Sequence, residues 1–189
     1  MDRRSQYFVI GLNGDSGAGK DTAADIIVNK LLAEGVASKL SFASELKKLC
    51  RSLFPMLHSE EDYNRRRDLR EVKKKRYNNM TAVDIWIHVG QSMREVDPNV
   101  WINKLHNTAK NLPSSIVVIP DVRSPNEVEF VKKNGIMIRL EAEDTKVNAM
   151  DNKFDCDYTI HNPKDSLELF GSLLKQVLNV EGIGYYGIH

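Results

Sequence analysis

Two rhythms of apolar residues run along this chain. Short unbroken apolar runs end in glycine or polar residues, and longer stretches return an apolar residue every three or four positions. The first rhythm suits strands buried on both faces, the second amphipathic helices. Tyr7 to Leu12 is an apolar run ending in glycines, which predicts a buried parallel strand. Ala23, Ile27 and Leu31 follow at helical spacing, so a helix is expected from Lys20 to Glu34, closed by Gly35. "SKLSF" reads as a short second strand, and Ser44 to Phe54 as a helix stopped before Pro55. His58 to Asn79 is polar and expected to be helical, with little apolar surface. Ala82, Trp86, Val89 and Met93 mark an amphipathic helix. Asp97-Pro98 is a cap and first-turn pair for the next helix, which shows Trp101, Leu105, Ala109 and Leu112 on one face. "SIVVIPDVR" is the most strand-like run, apolar on both faces and therefore expected in the sheet interior. Ser124-Pro125 opens a helix that Gly135 ends, "IMIRLE" is a fourth strand and "DYTI" a fifth. The last helix carries Leu167, Phe170, Leu174 and Val177.

Strands alternating with helices predict an α/β fold, a parallel sheet of about five strands with helices on both faces. No repeat or low-complexity linker divides the 189 residues, which are expected to form a single domain. A helical insertion is expected at about 55–95 and a lid at about 141–156.

Composition narrows the class without naming a chemistry. Hydrophobic residues make up 41% and charged residues 28%, as in a soluble globular protein. The net charge of +1 gives no global reason to expect nucleic acid or a membrane as partner. No apolar run approaches the ~20 residues of a membrane helix. The start "MDRRSQY" has no signal-peptide h-region, and Cys50 and Cys156 stand far apart in no metal-type spacing. The expectation is a cytoplasmic protein with reduced thiols (the host cytoplasm for a phage-encoded one).

Chemistry enters with "GDSGAGKDT", Gly14 to Thr22, between the first strand and the first helix. A glycine-rich turn before a helix points backbone N–H groups at an anion, and Lys20 adds a point charge for β/γ-phosphates. Gly14, Asp15, Ser16, Gly17, Ala18, Gly19, Lys20, Asp21 and Thr22 are therefore the candidate ATP site. GxxxxGK arises by chance in about one chain in twenty of this length, and the flanking strand and helix reduce that further. Asp21 stands where a Ser or Thr hydroxyl usually holds Mg²⁺. Either it abolishes Mg²⁺ binding, or its carboxylate replaces the hydroxyl as a ligand, directly or through water.

A second group of candidates follows the strand "SIVVIPDVR". Ligands bind at the carboxyl ends of parallel strands, where Asp121 and Arg123 fall. Asp121 is placed to orient Mg²⁺ and its waters, and Arg123 to stabilise charge on a transferring phosphoryl group. The plainer alternative is a surface turn capped by Ser124, with Glu127 a dipole-favoured acid. Lys47, Gly90, Gln91 and Arg94 are each unremarkable surface positions alone, but beside a P-loop they suggest a second anionic substrate. Trp101 is either core or a stacking surface for a base. The charge block Arg65–Arg76 is a solvated face, a positive funnel for nucleotides, or a nucleic-acid contact. It lacks the interleaved aromatics that stack on single strands.

Taken in order, "GDSGAGKDTAADII", "LSFASELKK", "VGQSMR", "VWINKL", "VVIPDVRSPNEVEFVKKNG" and "FDCDYTIHN" resemble the phage-type deoxynucleoside monophosphate kinases, a P-loop family related to adenylate kinases. The resemblance spans most of the chain. It implies a P-loop NTPase-type sheet, ATP on the loop, Mg²⁺, and an acceptor-binding role for the helical insertion. It also implies that Lys47 contacts the acceptor nucleotide, that Trp101 and Glu127 help form its pocket, and that the protein is a homodimer. Two departures stand out. "AVDIWIH" lacks the Arg that members often carry before the residue matching Gly90, leaving Arg94 for that task or a different acceptor. The segment "EAEDTKVNAMDNK" offers only Lys146 and Lys153 where many members place a lid Arg.

The expected activity is ATP-dependent phosphorylation of a deoxynucleoside monophosphate, with Lys20, Arg94, Asp121 and Arg123 catalytic and Asp21 and Asp121 toward the metal. Lys47, Gly90, Gln91, Arg94, Trp101, Asp121 and Glu127 are expected toward the acceptor. The alternatives are a P-loop kinase for another small phosphorylated acceptor, like phosphomevalonate or dephospho-coenzyme A kinases, and an ATPase module contacting nucleic acid. A nucleoside kinase would want a carboxylate base near the end of the second strand, where the sequence has Phe42-Ala43-Ser44.

Overall fold

The computed structural model describes residues 7–143 and 154–183. Its sheet has five strands: β1 (Phe8–Gly14), β2 (Ala37–Lys39), β3 (Ile116–Ile119), β4 (Gly135–Glu141) and β5 (Tyr158–His161). All are parallel, in the order β2-β3-β1-β4-β5. β1 is the middle strand, and the apolar run of β3 is flanked on both sides, as a strand buried on both faces must be.

The chain divides into two compact units, Met1–Ser41 with His106–His189, and Phe42–Leu105. The first unit holds the sheet. Helix α1 (Lys20–Ile26) follows β1 and continues as a π-helical turn, Ile27–Leu31, closed by the Leu32 amide donating to the Ile27 carbonyl at 3.2 Å. Ala23, Ala24, Ile26 and Ile27 pack with Ile10, Leu12, Ile136, Ile138 and Leu140, and with Phe170, Leu174 and Leu178 of helix α7 (Leu167–Val180). The other face is met by α6 (Pro125–Asn134), since a Cβ on Gly11 would lie 2.7 Å from Val131. Alternation along β1 thus feeds two helical layers. The lid expected at about 141–156 falls mostly outside the described residues, with Lys146 and Lys153.

The second unit is helical: α2 (Phe42–Leu53), α3 (Glu60–Arg65), α4 (Ala82–Val96) and the first half of α5 (Val100–Lys110). Its core joins Cys50, Leu57, Tyr63, Ala82 and Ile85. Tyr63 meets Trp86 edge-on at 5.1 Å between centroids. The stretch expected as a helix from His58 to Asn79 is broken instead. After α3 it has 3₁₀ turns at Arg67–Glu71 and Lys75–Tyr77 and an isolated antiparallel bridge between Lys74 and Met80, and Asn78 and Asn79 take left-handed φ of 51° and 60°. With Tyr63 and Lys74 the only buried residues between 58 and 80 whose side chains are described, no apolar stripe holds a long helix together. α4 is well started: Thr81 and Asp84 form a reciprocal capping box.

Candidate active site

The glycine loop forms at the carboxyl end of β1. Gly14, Gly17 and Gly19 have φ of +146°, +89° and +92°, values that let the turn direct its N–H groups inward. Gly14 and Gly19 have no alternative. A Cβ on Gly14 would sit 2.2 Å from the Leu140 carbonyl oxygen, and one on Gly19 2.4 Å from the Asn162 amide nitrogen. Lys20 folds back over the loop, its ammonium donating to the carbonyls of Gly14 at 2.5 Å and Asp15 at 2.8 Å. Its charge therefore sits on the cradle and not in solvent. Asp15 and Lys20 are half-buried, Ala18 is buried, and Ser16, Gly17, Asp21 and Thr22 are exposed.

Asp21 pairs with Lys39 at the end of β2, at 3.0 Å, and Lys39 also holds Asp25 at 3.0 Å. Burial alone would lower the Lys39 pKa, but hydrogen bonds and charge from Asp21 and Asp25 outweigh it and raise the value. Asp121, just past β3, accepts a hydrogen bond from the Ser41 hydroxyl at 2.7 Å. Arg123 is exposed, and its backbone N–H donates to Glu127 at 2.8 Å; the Ser124 N–H donates to the same oxygen at 3.0 Å. Glu127 is only 4% exposed, so within the first unit this acid fixes the turn that carries Arg123.

Beneath this turn runs a polar chain that sequence reasoning missed. The Asn13 amide donates to the Val122 carbonyl at 3.0 Å, and the buried Arg139 donates to Asn13 at 3.2 Å and to Glu141 at 3.0 Å. Asn162, after β5, donates to the Ala18 carbonyl at 3.0 Å. The loop and the Asp121–Arg123 turn are thus tied to the same sheet edge. The available signal was Arg139 itself, a lone cation inside the apolar run "IMIRLE".

In the second unit, the Lys47 ammonium lies 5.4 Å from the centre of the Trp86 ring, a cation–π contact. Trp101 is buried, its indole N–H donating to the Gly90 carbonyl at 3.3 Å. Gly90 packs against Leu46, where a Cβ would come within 3.0 Å. Gln91 and Arg94 are exposed on α4. Trp101 thus lies where its helical spacing placed it, as core, with its polar atom bonded to the helix turn that presents Arg94.

A parallel α/β sheet, a glycine loop wrapped by its lysine, and an acid–arginine turn at the same strand ends define the class: a P-loop kinase, an enzyme of phosphoryl transfer. No family model matches the chain. A protein of Acanthamoeba polyphaga mimivirus, provisionally named a deoxynucleotide monophosphate kinase, is 31% identical over 147 residues, covering 70% of this chain and 73% of its own length. The chain belongs to that deoxynucleotide monophosphate kinase family. Among solved structures it is similar to a shikimate kinase from Bacteroides thetaiotaomicron (TM-score 0.45, 15% identity, 91% of this chain and 98% of that one). It is also similar to an APS kinase from Mycobacterium tuberculosis (TM-score 0.41, 14% identity, 92% and 97%). Among the described residues no helix is long and apolar enough to cross a membrane.

Proposed function

We propose that the protein transfers the γ-phosphoryl group of ATP to a deoxynucleoside monophosphate, giving the diphosphate. The observation that carries the reading is the closed glycine loop with Lys20 over it, on the same sheet edge as Asp121 and Arg123. The choice of acceptor is supported by the mimivirus relative's name.

A monophosphate has a second pKa of about 6, so its oxygen is already a nucleophile at neutral pH and needs no general base. Catalysis then reduces to positioning and charge neutralisation. Lys20 and the loop N–H groups hold the ATP phosphates. Arg123, on a turn fixed by Glu127, neutralises charge on the transferred group, and Arg94 serves the acceptor from α4. Lys47, Gly90, Gln91 and Trp101 serve the acceptor, with Trp101 shaping the α4 turn through Gly90. Mg²⁺ would neutralise the phosphate oxygens. The donors fit: nucleotide-borne Mg²⁺ keeps several waters and takes one or two protein oxygens, and Asp121 offers a carboxylate of that kind. Among the described residues no group of three or more His, Cys, Asp or Glu could hold a metal ion, and a nucleotide-borne ion requires none.

The test is ADP release with ATP, Mg²⁺ and each of the four deoxynucleoside monophosphates. Acceptor-dependent ADP is expected with at least one, and Lys20→Ala or Arg123→Ala should cut turnover by about 100-fold or more while melting as the wild type does. No acceptor-dependent ADP with any of the four would transfer the assignment to another phosphorylated acceptor.

A further inference from the structure

One peptide group in the acid–arginine turn is held at both of its polar atoms. The carbonyl of Val122 accepts from the Asn13 amide at 3.0 Å. The N–H of Arg123, across the same peptide bond, donates to Glu127 at 2.8 Å. Carbonyl and N–H point to opposite sides of a trans peptide, so side chains from β1 and α6 grip one plane from two directions. Both gripping side chains belong to buried residues. A plane held this way fixes the last backbone torsion of Val122 and the first of Arg123. It therefore fixes the direction in which the exposed Arg123 leaves the turn.

The grip from β1 depends on which way the Asn13 amide faces. Arg139, its register partner on β4, offers only N–H donors and donates to the amide oxygen at 3.2 Å. Turned over, the amide would set its NH₂ against the guanidinium and its oxygen against the Val122 carbonyl, exchanging two hydrogen bonds for two repulsions. Glu141 holds Arg139 in turn, accepting from its Nε at 3.0 Å. Asn13 also stands immediately before Gly14, so this one amide links the root of the phosphate loop to the arginine turn.

We propose that Arg139 and Asn13 are positioning residues for phosphoryl transfer: Arg139 sets the orientation of the Asn13 amide, and that amide fixes the 122–123 peptide that aims Arg123. Arg139 acts through Asn13 and Val122, not on a reacting group. The inference rests on the phosphoryl-transfer reading above. The loop has supports of its own, because Lys20 donates to the Gly14 and Asp15 carbonyls and Asn162 to that of Ala18. Damage to the Arg139–Asn13 chain should therefore reach turnover and spare ATP binding.

The experiment pairs steady-state kinetics with native-state hydrogen exchange. Arg139→Met should lower kcat about tenfold or more and leave KM for ATP within about twofold, because misplacing a charge-stabilising group costs rate and not loop binding. Arg139→Lys keeps a donor toward the amide oxygen and should recover part of the kcat. Ile138→Val, next along β4 with its side chain in the α1–α7 core, weakens packing and should leave kcat unchanged. In an Arg123→Ala background, Arg139→Met should lose nearly all of its effect on kcat, since no guanidinium is left to aim. In exchange, with no substrate present, the Arg123 amide of Arg139→Met should lose about tenfold in protection beyond any change shared with the β1 amides. A kcat for Arg139→Met near that of the wild type would overturn the proposal. So would a loss that persists undiminished in Arg123→Ala, or an Arg123 amide that exchanges as in the wild type. Should Arg139→Met not fold, Arg139→Lys carries the same comparisons with smaller changes. A wild type that releases no ADP with any acceptor refutes the proposed function instead, and the exchange measurement still decides whether Arg139 holds the turn.

Discussion

At the scale of single residues, two acidic groups are kept neutral by the fold. Tyr7 is 4% exposed, its hydroxyl is hydrogen-bonded to Nδ1 of His106, and burial pushes its pKa up to about 12. Cys50 is fully buried and pushed up by the same cause to about 11. For an acid whose folded pKa is raised, the unfolded chain ionises first. The stabilisation is therefore complete below the unfolded pKa and is lost as pH climbs toward the folded one. Melting temperature should fall from about pH 9 for Cys50 and about pH 10 for Tyr7, up to pH 11–12. Tyr7→Phe should start less stable, having lost the bond to His106, yet decline less steeply over pH 10–12, with the residual slope due to Cys50 and to Tyr63, Cys156 and Tyr158, which the fold also pushes up. Melting curves for the two proteins that fall in parallel over that range would reject the role of Tyr7. The same residues show what a sequence exposes at this scale. Gly14, Gly19 and Lys20 are legible because their partners lie within a few positions along the chain. Tyr7 with His106, Ser41 with Asp121 and Arg139 with Asn13 are separated by 99, 80 and 126 residues, and only the parallel sheet brings them together.

Among the elements, the carboxyl ends of β1 and β4 bear the strongest local demand. Asn13 and Arg139 are register partners on adjacent strands. Asn13 divides its amide between Arg139, which donates to its oxygen, and the Val122 carbonyl, which receives its N–H. Arg139→Met would keep the apolar stem and remove the donor, leaving a buried amide oxygen without it. The expected cost is about 1–3 kcal/mol of unfolding free energy by urea titration. Arg139→Lys should recover only part, since an ammonium lacks the planar fork that reaches Asn13 and Glu141 together. A loss below about 0.5 kcal/mol in Arg139→Met would show the chain of bonds to be incidental. Element type was largely legible here, because β1, β3 and β4 are unbroken apolar runs and α4 and α7 keep a helical period. The π turn at Ile27–Leu31 was not, since Ala23, Ile27 and Leu31 fit an α-helix equally well. Nor was the break-up of 58–79, where charge gave the appearance of a helical face without an apolar side to anchor it.

For the whole molecule, the two compact units differ in how much they bury. The core of the first gathers β1, β3, β4, α1 and α7 into one apolar cluster with most members at or near zero exposure. The second has a small cluster of Cys50, Leu57, Tyr63, Ala82 and Ile85, with Leu46, Phe54, Leu69, Tyr77, Met80, Trp86 and Val89 only partly covered around it, and Phe42, Trp101, Ile102 and Leu105 buried beside it in sequence. Composition could not reveal this, since apolar residues are spread through both segments and only the burial is uneven. The consequence is a graded stability, because segments with few buried contacts open at lower free energy than the core. Native-state hydrogen exchange should show the amides of Val9–Leu12 and Ile136–Leu140 exchanging last, at the free energy of global unfolding. The amides between residues 58 and 80 should exchange through openings lower by about 2 kcal/mol or more. Within that stretch the Lys74 amide should be the slowest, because it donates to Met80 at 2.9 Å in the isolated bridge there and its residue is 8% exposed. Protection across 58–80 equal to that of β1 would mean that the helical unit unfolds only with the sheet, and its sparse core would then not set its stability. Exchange that is fast at Lys74 as well would remove the bridge from the account while leaving the gradient intact. A segment that opens this readily, and that carries the Arg65–Arg76 charge block, should also gain protection when a nucleotide acceptor binds. Adding a deoxynucleoside monophosphate should then slow exchange in the helical unit by as much as in β1, since a ligand held by that unit is lost in its local opening as it is in global unfolding.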